Sequence, residues 1–210
     1  MAEAPRPFLA ACVPMRSGRD PASNVDQAAR MIREAASAGA SFVQTPEMTN
    51  IVDRDRERLF QVIAPEQRDA SLAAFRELAR ALRITLHVGS LAILRADGKA
   101  ANRAFVIDSA GEISAAYDKI HLFDVDLPNG ETWRESRTYT GGDTAVLVDL
   151  PEARLGVTIC YDVRFPQLYR ALAEGGADVL SAPACFTRQT GEAHWQVLQR
   201  SRAIENGAFM

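Results

Sequence analysis

The chain has 210 residues, 47% hydrophobic and 24% charged, enough to bury one sizeable core without requiring two domains. A formal net charge of −3 argues against a nucleic-acid or anionic-membrane partner, and no run of about 18 apolar residues predicts a transmembrane span. The three cysteines and three histidines sit at no disulfide or metal-ligand spacing, so no metal or other cofactor is expected. Widely spaced cysteines fit a reducing compartment. Residues 1–7 lack the basic-then-apolar build of a secretory signal, and a cytoplasmic location is expected.

Residues 8–13, an apolar run bounded by prolines, predict a first strand. Val25, Ala28, Ile32 and Ala35 recur at helical spacing and predict a helix over 24–38, stopped by Gly39. Residues 41–44 read as the next strand, ended by Thr45-Pro46-Glu47. A strand–helix–strand unit of this size predicts parallel pairing. A second amphipathic helix is expected over 69–82, with Leu72, Phe75, Leu78 and Leu82 on one face. Short runs follow at 84–89, 91–95, 101–108 and 112–117. The separators Ala96-Asp97-Gly98-Lys99 and Asp108-Ser109-Ala110-Gly111 carry hairpin turn chemistry, which predicts antiparallel strands. Residues 119–142, with Pro128-Asn129-Gly130 and Gly141-Gly142, read as a long functional loop. Strands at 144–149 and 154–160, a helix over 167–174, a strand at 178–181 and a helix over 192–205 follow. After Gly207 the chain turns apolar, where a further strand is expected to begin.

Cys160 closes the run Arg154-Leu155-Gly156-Val157-Thr158-Ile159-Cys160 and precedes Tyr161-Asp162-Val163-Arg164-Phe165-Pro166. This pattern predicts a buried strand that delivers a thiol to a strand-to-helix turn. In α/β proteins the carboxyl end of a strand is where ligands bind, and the next N–H groups can hold an anion. Cys12, mid-strand, reads as buried and inert. Cys185, after Ala182-Pro183-Ala184, reads as more open but structural.

A thiol of pKa about 8.5 needs a base or a cationic neighbour to react near neutrality. His87 lies in a strand-like run, His121 just after Lys119, and His194 at a helix start. None sits at an obvious strand end facing Cys160. Glu47 and Lys119, in contrast, close predicted strands. A carboxylate, an ammonium and a thiol at three strand ends are poorly explained as unrelated surface groups.

The segments Thr45-Pro46-Glu47, Tyr117-Asp118-Lys119-Ile120-His121-Leu122-Phe123-Asp124 and Gly156 to Pro166 resemble the signature blocks of the nitrilase superfamily. These are carbon–nitrogen hydrolases with a Glu-Lys-Cys triad, and the resemblance runs over essentially the whole chain. Trp133-Arg134-Glu135-Ser136 resembles the loop carrying the family's second glutamate. Gly191-Glu192-Ala193-His194-Trp195 resembles a pocket segment of its omega-amidase and deaminated-glutathione amidase members.

The resemblance implies an α/β fold: a four-layer α-β-β-α sandwich of two mixed sheets with outer helices, made by residues 1–210 as one domain. Members usually run several strands beyond the position of Met210, so those C-terminal strands are expected to be lacking. A homodimer or higher homo-oligomer is expected where that segment is intact. By the resemblance Glu47 is the general base, Lys119 the electrostatic partner, Cys160 the nucleophile and Glu135 the auxiliary acid. The Tyr161 N–H joins Lys119 as an oxyanion donor. The implied reaction is hydrolysis of a small carboxamide, the omega-amide of a carboxylate-bearing substrate, through a Cys160 thioester. Arg164 and Arg188 are candidates for the substrate carboxylate, although Arg164 also reads as a structural partner of Asp162. Phe123, Trp133, Phe186, His194 and Trp195 are candidates for the pocket. Two alternatives stay open: a nitrile or N-carbamoyl substrate, and a truncated inactive relative acting as a scaffold.

Overall fold

The structure, a computed structural model, describes residues 7–127 and 130–210. Pro128-Asn129 of the expected turn and residues 1–6 lie outside the described residues.

The first sheet has the order β1 (Ala10–Cys12), β2 (Phe42–Gln44), β3 (Thr85–Leu94), β4 (Ala100–Ile107) and β5 (Ile113–Asp118). β1, β2 and β3 pair in parallel, whereas β3, β4 and β5 pair antiparallel through the two expected turns. The runs 84–89 and 91–95 are one strand, not two. A register shift between Val88 and Leu91 is a bulge, which kinks the strand and lets it continue. Cys12 is exposed on β1 rather than buried, because β1 is an edge strand with one neighbour.

Between these strands run α1 (Pro21–Ser37), α2 (Arg56–Val62) and α3 (Ala70–Leu82). α1 starts earlier than the expected residue 24. The Asp20 carboxylate caps it by accepting from the Ser23 N–H, and Pro21 occupies the first turn, where no N–H is needed. α2 was not anticipated: it is seven residues long and buries Leu59 alone, too little for a readable period. α3 is capped by Asp69 through the Leu72 N–H and buries Leu72, Phe75, Leu78 and Ala79, as its spacing predicts.

The loop expected over 119–142 holds a small antiparallel pair, β6 (Asp124–Asp126) and β7 (Thr132–Arg134), and a 3-10 turn at Glu135–Arg137. A second mixed sheet follows: β8 (Val146–Asp149), β9 (Arg154–Val157) and β10 (Val179–Leu180), in the order β10-β9-β8. β9 pairs antiparallel with β8 and parallel with β10. α4 (Pro166–Glu174) links β9 to β10. The single helix expected over 192–205 is instead α5 (Arg188–Thr190), a π-helical turn at Gly191–Trp195, and α6 (Gln196–Asn206). Beyond Gly207, Phe209 forms a parallel bridge with Val179 of β10.

Three apolar layers hold these elements. Ala28 and Ile32 of α1 and Phe75 and Leu78 of α3 pack on Val43, Leu86 and Val88 of the first sheet. Phe42, Ala104, Val106 and Tyr117 face Val148, Leu155 and Val157 across the space between the sheets. Leu168, Tyr169 and Leu172 of α4 cover Leu180, with Leu198 of α6 beside them. Each fully buried aliphatic or aromatic side chain contributes about 1.5–3 kcal/mol. The result is helix, sheet, sheet, helix: the four-layer arrangement expected, with mixed pairing in both sheets.

Candidate active site

Cys160 lies between the sheets, 5% exposed. The ladder of β9 stops at Val157, and Ile159 is still extended (φ −134°, ψ 119°). Cys160 then turns into the left-handed region at φ 50° and opens a 3-10 turn that runs to Arg164. A residue with a Cβ is strained there, and such strain persists only where its surroundings over-determine it. Two contacts do so. The Cys160 N–H donates to the Pro183 carbonyl at 2.9 Å, and buried Asp162 braces the turn. Asp162 accepts from the Ile159 N–H (2.9 Å), the Tyr117 hydroxyl (2.8 Å), the His121 N–H (3.0 Å) and His121 Nδ1 (2.7 Å). One carboxylate thereby ties the thiol-bearing turn to Tyr117 and His121, which flank Lys119 at the exit of β5.

The structure brings Glu47, Lys119, Cys160 and Glu135 together. Lys119, 2% exposed, places Nζ 2.9 Å from Glu47 Oε1 and 2.9 Å from Glu135 Oε2. The Cys160 thiol lies in the same pit, within the electrostatic reach of Glu47 and Lys119. Asn102, buried on β4, donates to Glu47 Oε1 at 2.9 Å and Glu135 Oε1 at 3.1 Å. The Cys185 N–H donates to Glu47 Oε2 at 2.9 Å. The Phe123 N–H donates to Glu135 Oε2 at 2.6 Å. Both carboxylates are thus fixed from several sides, as a buried charge requires.

These contacts set the protonation states. Burial pushes the Glu47 carboxyl up, but the Lys119 ammonium and the donors from Cys160, Lys119 and Asn102 prevail and hold it below its ordinary range. Burial, then the Glu47 charge, push the Cys160 thiol well above its ordinary value, against the opposing pull of Lys119. Burial pulls Lys119 down, yet Glu47 and Glu135 outweigh it and hold the ammonium protonated. At rest the site therefore holds a neutral thiol beside an ionised carboxylate and an ammonium. The nucleophile is made by a neighbouring base and not by a low thiol pKa.

The loop bearing Glu47 is placed by Gly89 in the β3 bulge. A Cβ at Gly89 would lie 2.1 Å from the Thr45 carbonyl oxygen, 2.5 Å from Pro183 Cβ and 2.6 Å from the Pro46 carbonyl oxygen. Gly89 thus lets the Thr45-Pro46 turn and the Pro183 loop close on β3. These two segments carry Glu47 and the N–H of Cys185.

A cavity of about 610 Å³ opens over the site, lined by Glu47, Lys119, Glu135 and Cys160 and walled by Phe123, Trp133, Tyr139 and Phe186. Other expected pocket residues stand elsewhere. Arg188 has a 90% exposed side chain paired with Glu192. Arg164 Nη1 meets Nδ1 of exposed His194 at 3.1 Å rather than pairing with Asp162. Trp195 packs edge-on against Phe186, with ring centroids 4.7 Å apart. None of these four is among the lining residues; the guanidinium groups that line the cavity are Arg54 and Arg134. Asn102 was missed, although a polar side chain inside the apolar run 100–107 is a readable signal. Gly89 and Arg54 carried none.

The chain and its fold are similar to known proteins. The carbon-nitrogen hydrolase family matches residues 9–210. The chain is similar to a deaminated glutathione amidase of Yersinia enterocolitica, 40% identical over 194 residues, which cover 90% of this chain and 67% of that one. It is 37% identical over 203 residues to omega-amidase NIT2 of Homo sapiens, covering 97% of this chain and 72% of the human one. Its fold superposes on the C. elegans NitFhit protein with a TM-score of 0.85 and 35% identity, covering 95% of this chain and 48% of the other.

Proposed function

This chain belongs to the carbon-nitrogen hydrolase family, and from that premise we propose that it is a thiol amidase acting on the omega-amide of a carboxylate-bearing substrate. That it is a hydrolase of the amidase type, acting on carbon–nitrogen bonds, follows from the family and its amidase relatives. The observation that carries the finer reading is a buried thiol sharing one pit with a carboxylate that is itself 2.9 Å from a buried ammonium.

Glu47 takes the Cys160 proton as sulfur attacks the amide carbon. Negative charge then develops on the carbonyl oxygen. Lys119 donates to Glu47 Oε1 and to both oxygens of Glu135, and its positive charge, together with the Tyr161 N–H, stabilises that oxygen. A preorganised donor of this kind lowers the barrier by about 3–4 kcal/mol. Glu47 next gives its proton to the leaving nitrogen, ammonia departs, and a Cys160 thioester remains. Water attacks the thioester with Glu47 again as base, releasing the acid and the thiol. Glu135 holds Lys119 in place and keeps it charged throughout. Relatives named deaminated glutathione amidase and omega-amidase support a substrate with a carboxylate at one end and an amide at the other.

Intact-mass measurement during turnover of an amide panel tests this reading. A mass gain equal to the acyl group, absent in Cys160→Ala, is expected. Sustained ammonia release by Cys160→Ala would refute it.

A further inference from the structure

We propose that the Arg54 guanidinium, laid over the Trp133 indole on the cavity wall, binds a carboxylate at the end of the substrate remote from the scissile amide. The proposal rests on the amidase reading above and assigns the residue that selects the substrate's charge.

Among the described residues, three cationic side chains line the cavity: Lys119, Arg54 and Arg134. Lys119 is committed to Glu47 and Glu135. Arg134 is committed to the β6–β7 hairpin, where it donates to the Val125 carbonyl (3.0 Å), the Trp133 carbonyl (2.8 Å) and Asp126 (2.6 Å). Arg54 is held differently. Its guanidinium carbon sits 4.4 Å from the Trp133 ring centroid, and its side chain is 76% exposed. Among the described residues, its carboxylate contact is Glu131 at 3.7 Å, beyond hydrogen-bond distance. An aromatic face orients the guanidinium plane without using its N–H edge. That edge matches a carboxylate in a bidentate pair.

Electrostatics and size favour the same placement. Glu47 and Glu135 repel a second anion beside Cys160, so a substrate carboxylate is best accommodated away from the pit. The volume of about 610 Å³ equals that of about 20 liquid waters, room for a substrate with an extended body between amide and acid. Binding energy gathered at that far end orients the amide for attack.

The test compares a series of dicarboxylic monoamides of increasing length, such as succinamate, glutaramate and adipamate, with their methyl esters. The intact enzyme is expected to prefer at least one acid over its ester in kcat/KM. Arg54→Ala is expected to lower that acid-over-ester ratio about tenfold, mainly through KM, and Arg54→Lys to lower it less because charge survives without the fork. An unchanged ratio in Arg54→Ala, or equal losses on acid and ester, overturns the assignment. Calorimetric binding of the preferred monoamide to Cys160→Ala, with and without Arg54→Ala, reads the contact without turnover. An enzyme that neither hydrolyses nor binds any monoamide overturns both the amidase reading and this one. Hydrolysis that is indifferent to Arg54 overturns this one alone.

Discussion

Lys119 and Arg54 face one cavity as cations, yet Lys119 is 2% exposed and Arg54 76%. The pit around Lys119 is built from the ends of β2, β5 and the run after β9, and each charged group there has several partners. The wall around Arg54 is built from a loop and a two-strand hairpin, and its cation is held mainly by an aromatic face. Chemistry that moves a proton needs groups fixed to fractions of an ångström in a poorly hydrated space. Recognition of a substrate's far end tolerates solvent and a looser frame. The pit is therefore costly to alter and the wall cheap.

Substitutions can break that contrast. In the pit, Lys119→Ala leaves two buried carboxylates sharing one site without their cation. Turnover is expected to fall about 10³-fold and stability by about 3–5 kcal/mol, read by steady-state kinetics and urea unfolding. If stability were unchanged, the pit would be far wetter than its exposure indicates.

His87 sharpens the comparison through pH. It is buried on β3, its Nδ1 is 3.0 Å from Gln44 Oε1, and Nε2 has no partner among the described residues. Burial holds its pKa down at about 4, from 6.5. The unfolded chain thus binds a proton that the folded one refuses. Stability contributed by neutral His87 is complete above pH 6.5 and is lost as pH falls toward about 4, by up to about 3 kcal/mol. Urea midpoints measured from pH 7 to 4 should fall, and the slope should flatten in His87→Leu. Loss from Glu47, whose pKa is lowered, belongs below its ordinary value of 4.5 and is separable.

Gly89→Ala adds a methyl group where backbone oxygens stand 2.1 and 2.6 Å away. The Thr45-Pro46 turn must shift, and Glu47 with it. A loss of about 1–3 kcal/mol in stability and of about 10²-fold in kcat/KM is expected. Activity lost while stability holds would show that the residue positions the base. On the wall, Trp133→Leu should cost about 1 kcal/mol or less in stability, since it removes a cation–π contact at an exposed arginine, as a thermal melt would read.

The same division governs what the sequence could disclose. β-branched runs and hairpin turns made most strands of both sheets readable, and the three reactive side chains fall at or just past strand ends, where periodicity breaks. α2 and the β6–β7 pair escaped because elements of seven and three residues carry no period. Asn102, a polar residue in an apolar strand, was a missed signal. Gly89 was hidden because its role depends on two distant turns meeting β3. His194 and Trp195 are expected in the pocket from the likeness of a segment, and Arg188 from the match of guanidinium to carboxylate; a π-helical turn at Gly191–Trp195 and the exposure of Arg188 on α5 leave all three side chains outside the lining. Arg54 has no local pattern at all; only the fold lays it over Trp133.

The most direct measurement is the ultraviolet absorbance of thiolate in the native enzyme, titrated with pH and compared with Cys160→Ala. A buried thiol that gives up its proton only to Glu47 during attack should add no thiolate signal at neutrality, nor until pH passes well above the ordinary thiol value of 9.0. A Cys160 thiolate already present at pH 7 would contradict the account.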